Sequence, residues 1–133
     1  MVAVTLSEIT GPKANPTSDA LGAARSLSEA LRRVAGTREL AVVASAHASA
    51  GLTDRAPLTK VSGAADVDRE LVAALEEDPG LVDDLLSRLH GTGDACGIGP
   101  LAVIAHLFAG WGSEGITYEA PFGVGYLVGQ WTA

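Results

Sequence analysis

Residues Gly115–Trp131, "GITYEAPFGVGYLVGQW", close the chain as two strands, Gly115–Glu119 and Gly123–Trp131, with Pro121 between them. They follow a series of helical patterns. Just upstream, Leu101–Gly110 ("LAVIAHLFAG") is apolar nearly all round, as a central buried helix is, and Pro100 suits its first turn. Before that helix lies a glycine-rich elbow, "GTGDACG". Leu81 to His90 carries leucines at helical spacing, and Pro79-Gly80 separates it from an amphipathic helix over 65–77 built on Val67, Leu71, Ala74 and Leu75. The long segment "HASAGLTDRAPLTKVSG" is a loop of the length that carries function.

Further toward the N-terminus, "ELAVVASA" (39–46) is apolar throughout, the pattern of a strand covered on both faces. A helix precedes it, capped by Ser18 or Asp19. Leu21, Ala24, Leu27, Leu31 and Val34 form its stripe, Arg32 and Arg33 suit its C-terminal dipole, and Gly36 stops it. Residues 8–18 are loop-like, and "VAVT" (2–5) has the β-branched character of a short buried strand. The expected fold is α/β, a mixed β-sheet flanked by helices in the order β-α-β-α-α-α-β-β.

The 133 residues make a single domain, 1–133, large enough to bury roughly two-thirds of its unfolded surface. A hydrophobic content of 47% beside 19% charged residues is that of an ordinary globular chain. The net charge of −7 argues against nucleic acid and anionic membrane as partners, since both reward basic patches. One cysteine gives no disulfide framework. "MVAVTLSEIT" lacks the pattern of a signal peptide, and the longest apolar run is too short to span a bilayer. These features predict a soluble, cytoplasmic protein.

Two residues stand out for chemistry. Cys96, at the start of a helix, feels the positive end of the macrodipole, which favours the thiolate that metals and electrophiles require; a small buried hydrophobe is the alternative. His47 directly follows the apolar strand, where side chains of α/β sheets face a ligand crevice, and its imidazole can serve as general base or metal ligand; a solvated loop histidine is the alternative. His90 suits a helix C-terminus, His106 a hydrogen-bonded core position, and Asp83 and Asp84 a solvated face. The glycine run lacks the Lys and Ser/Thr of a phosphate loop.

"LAVVASAHAS", "RAP", "DVDRELVAALEEDP", "ACGIGPLAVIAHLFAGWG", "ITYEAP" and "GVGYLV" occur in an order that resembles the C-terminal half of the Memo-like proteins. These share their fold with the catalytic subunits of class III extradiol dioxygenases. The resemblance implies a non-haem metal site, iron in the dioxygenase branch, with Cys96 as the metal-site residue. Soft thiolate and imidazole ligands would suit iron, copper or zinc. Two departures accompany it. The family's two metal-binding histidines lie in an N-terminal half that has no counterpart here. Its post-strand aspartate and histidine positions are occupied by His47 and Ala50.

The reading that results is a subunit of a heteromeric dioxygenase-like oxidoreductase acting on a phenolic or other aromatic substrate. A partner subunit, met through an apolar face, would supply the missing ligands. His47 would be the catalytic or substrate-facing group, Cys96 the metal ligand and non-haem iron the cofactor. The alternatives are a Memo-like binding or regulatory module without the metal site, and a free-standing Cys-dependent enzyme.

Overall fold

The computed structural model describes residues 16–36, 41–44, 47–56, 59–91 and 98–132. The expected strand at 2–5 and the elbow around Cys96 lie outside the described residues. The α/β class holds: among the described residues, four α-helices and a two-stranded antiparallel sheet follow one another roughly in the expected order.

Helix α1 spans Pro16–Ala35, starting at the proline that precedes the expected caps, and Gly36 follows its last turn. Helix α2 spans Ala64–Glu77. A 3₁₀ turn, Pro79–Val82, separates it from α3, Asp83–Gly91. Helix α4 spans Ile98–Leu107, strand β1 Gly112–Glu119 and strand β2 Tyr126–Thr132. The hairpin register runs from Gly112↔Thr132 to Glu119↔Tyr126, with a bulge between Ser113 and Gly115.

The apolar stripes predicted for the helices form one core. Leu71, Leu75, Val82, Leu86, Ala102 and Ala105 are fully buried in it. α1 lies against α4 through small residues: Ala24 is fully buried, and the Ser28 hydroxyl lies 2.8 Å from the Ala24 carbonyl and 3.2 Å from the Val103 carbonyl. Arg32 reaches across this interface and donates to the carbonyls of His106 and Leu107, which close α4 and have no helical donor left.

Two local details lock the α2 end to the hairpin. The carbonyl of Leu75 has a proline, Pro79, four residues on, so no helical N–H can reach it. The indole N–H of Trp131 donates to it instead, at 2.9 Å. Asp78 caps the 3₁₀ turn: its Oδ1 accepts from the Gly80 N–H and, from the turn after α4, the Gly110 N–H, each at 2.8 Å. These bonds, Gly110 first, hold its carboxyl below the usual aspartate range.

The segment expected as a doubly covered strand differs from the expectation. Residues 41–44 hold no regular secondary structure, and Val43 is 89% exposed. Among the described residues, ladder bonds to the hairpin run from Ala48: Ala48 N–H to Gly125 O (2.9 Å), Gly125 N–H to Ser49 O (2.8 Å) and Leu52 N–H to Gly123 O (3.1 Å). The chain therefore runs antiparallel to 123–125 as an incipient third strand. Among the described residues, 41–44 make no backbone hydrogen bond to β2. Asp83 also departs from a purely solvated role. It is half-buried, with Arg25 at 3.7 Å and the His106 Nε2 at 3.5 Å.

Candidate functional site

A cavity of about 690 Å³ lies between residues 41–44 and 47–48, α4 and β2. The segment Ala41–Ala44 with His47 and Ala48 forms one wall, and Leu101, Ile104 and Phe108 on the face of α4 form a second. β2 supplies the third through Leu127 and Trp131, with Leu71 and Trp111 completing the lining. The volume falls within the range of small-molecule sites.

An aromatic cluster builds one side. Phe108 lies 4.9 Å from Trp111, tilted by 54°, and 6.2 Å from Trp131, nearly parallel at 14°. Gly129 makes room for the Trp131 indole: a Cβ there would sit 2.6 Å from the ring edge and 3.2 Å from Ile116. The strand period decides the rest. Leu127, Gly129 and Trp131 share the more buried face of β2, while Val128, Gln130 and Thr132 share the exposed one. Gln130 Nε2 donates to Glu114 at 3.0 Å and Thr132 Oγ1 to the same carboxylate at 2.8 Å. His47, half-buried, and Trp111 bring an imidazole and an indole N–H to the described lining.

What places His47 is a buried polar cluster that periodicity had not singled out. Asp68 sits one turn before Leu71 on the inward face of α2 and is fully buried. Its Oδ1 accepts from the Ser49 hydroxyl (2.6 Å) and the Ser49 N–H (3.2 Å), and its Oδ2 accepts from the Tyr118 hydroxyl (2.5 Å). A buried carboxylate requires such donors, and here three converge from two other segments. Burial, and then the bond to Asp68, push the Tyr118 phenol well above its usual range, so it stays a neutral donor. Gly125 closes over the pair. A Cβ on it would lie 2.4 Å from Asp68 Oδ2 and 2.7 Å from the Tyr118 oxygen. The cluster ties α2, β1 and the loop after His47 into one frame, with both carboxylate oxygens engaged. One signal for it was present in the sequence: an aspartate on the same helical face as Leu71 and Leu75.

His106 lies against Asp83 on the side of α4 that meets α1 and α3. Cys96 lies outside the described residues. Among the described residues no group of three His, Cys, Asp or Glu side chains could hold a metal ion, and the cavity lining offers one imidazole. These residues do not by themselves fit a non-haem iron centre. No described helix is long and apolar enough to cross a membrane. No family model, curated protein or solved structure matches the chain.

Proposed function

We propose that this chain is a binding module that takes a small molecule in the cavity between residues 41–44 and 47–48, α4 and β2, and that performs no chemistry of its own. The observation that carries this reading is the cavity itself: an apolar, aromatic-walled space with a single imidazole beside it, framed by the Asp68 cluster. Burial of apolar ligand surface supplies affinity in such a space, and a few polar groups of the wall supply orientation.

The test is extraction and return. The chain, purified from the cells that make it, is extracted with organic solvent, and the extract is identified by mass spectrometry. Near-stoichiometric recovery of one small molecule is expected, and adding it back should raise the melting temperature, as any ligand of the native state does. The reading falls if nothing is extracted and no compound of a diverse fragment set shifts the melting temperature.

One observation favours a second reading, a subunit of a heteromeric class III extradiol dioxygenase-like metalloenzyme: His47 lies in the lining of an aromatic-walled cavity. On that reading Cys96 is a ligand of non-haem iron, a partner chain supplies the other ligands, and an aromatic substrate occupies the space. Metal analysis of the same purification separates the two. Iron that travels with a second chain, and is lost in Cys96→Ser without unfolding, would favour the subunit.

A further inference from the structure

We propose, on the binding reading above, that Trp131 is the wall that fixes the size of molecule the cavity accepts, and that Gly129 is the positioning residue that seats it. A glycine in the interior of a strand weakens it, and its usual meaning there is a close approach by another group. In β2 that group is the indole of Trp131, two residues on and on the same face of the strand. A Cβ at position 129 would stand 2.6 Å from its Cη2, 3.0 Å from its Cζ2 and 3.2 Å from Ile116 Cγ1. The benzene half of the indole therefore occupies the space that a side chain at 129 would take.

Two further contacts hold the ring in that seat. Its N–H donates to the Leu75 carbonyl at 2.9 Å, an acceptor that Pro79 leaves without a helical donor. Phe108 lies nearly parallel to it, at 14° and 6.2 Å between centroids. Gly129 and Trp131 both line the cavity, which lies between β2 and α4. A side chain at 129 blocks the seat, and Ile116, the cross-strand partner of Gly129, bars a shift toward β1. The ring then clears position 129 by lifting off β2, which carries it toward α4 and across the cavity.

Fluorescent probes that differ by a phenyl ring, 1-aminonaphthalene and N-phenyl-1-naphthylamine, are titrated into the full chain. The readout is the ratio of their dissociation constants. In Gly129→Ala the larger probe should weaken about tenfold relative to the smaller. A merely structural cost would lower the melting temperature and leave that ratio alone. Trp131→Phe removes Cη2 and Cζ2, the atoms nearest the new methyl, and shortens the wall. It should shift the ratio the other way, toward the larger probe, by about threefold or more. In that background Gly129→Ala should leave the ratio within about twofold, since the atoms it meets are gone.

A folded Gly129→Ala protein with the wild-type ratio overturns the assignment while the binding reading stands. So does a Trp131→Phe protein whose ratio does not move toward the larger probe. Should Gly129→Ala fail to fold, Trp131→Phe and the double variant decide alone. Failure of both probes to bind the wild-type chain removes the binding reading as well.

Discussion

Replacing Gly125 by alanine tests the frame around the site at its tightest point. Gly125 is not among the positive-φ residues, so its backbone suits alanine, and the difficulty is space alone. The new methyl carbon would stand 2.4 Å from Asp68 Oδ2, 2.7 Å from the Tyr118 oxygen and 3.0 Å from the Tyr118 ring. The backbone cannot simply withdraw, because Gly125 is bonded on both sides, from Ala48 and to Ser49. Overpacking of this kind costs about 1–3 kcal/mol. Parting Tyr118 from the carboxylate adds the loss of a bond to a charged group, about 1.5–3 kcal/mol. Gly125→Ala should therefore destabilise by about 3–5 kcal/mol, a large share of the ~5–15 kcal/mol that holds a domain together. Tyr118→Phe removes the hydroxyl and its bond in advance. In that background the alanine should cost only the overpacking, so the double-mutant cycle should show coupling of about 1.5–3 kcal/mol. Urea denaturation followed by circular dichroism and tryptophan emission gives all four stabilities. Equal costs in both backgrounds, or a single-variant cost below about 0.5 kcal/mol, would refute the reasoning.

Alkaline titration probes the same bond through its proton. The unfolded Tyr118 phenol ionises near pH ~10, whereas the native one is held protonated by burial and by Asp68. Stability is therefore complete below about pH 10 and falls as pH rises above it, because the unfolded state then binds fewer protons. Absorbance of phenolate near 295 nm should show one of the two tyrosines ionising together with the loss of circular dichroism. Ionisation of both before any unfolding would contradict the buried pair. Phe122 sits at φ 61° with its side chain 85% exposed, a conformation that costs a non-glycine residue about 1 kcal/mol. Phe122→Asn should raise stability by about 0.5–1 kcal/mol in urea melts, and a loss instead would mean that the ring makes a stabilising contact.

The helices α1, α2, α3 and α4 and both strands of the hairpin were legible from sequence to within a few residues, as was the break at Pro79-Gly80. Each rests on local rules: apolar residues at helical spacing, a proline that removes an N–H, short runs of strand formers. The segment 39–46 was read by the same rules and came out differently over 41–44. An apolar run specifies only that burial is favourable, and pairing depends on which surface lies beside it. That surface is β2, which follows more than seventy residues later in the chain.

His47 stood out in the sequence, and it does line the cavity, but the groups that hold its loop did not. Asp68 looked like one polar residue in an amphipathic helix, and Ser49 and Tyr118 like ordinary loop and strand positions. By itself, then, the sequence determined the helices, the hairpin and the sites of the breaks, because those follow from neighbours within a few residues. Only the tertiary structure decided that 48–52 would run against 123–125, that Asp68 would find its donors in Ser49 and Tyr118, and that 41–44, α4 and β2 would enclose a cavity. Those outcomes depend on groups remote in sequence meeting within hydrogen-bonding distance, and no local pattern encodes that meeting.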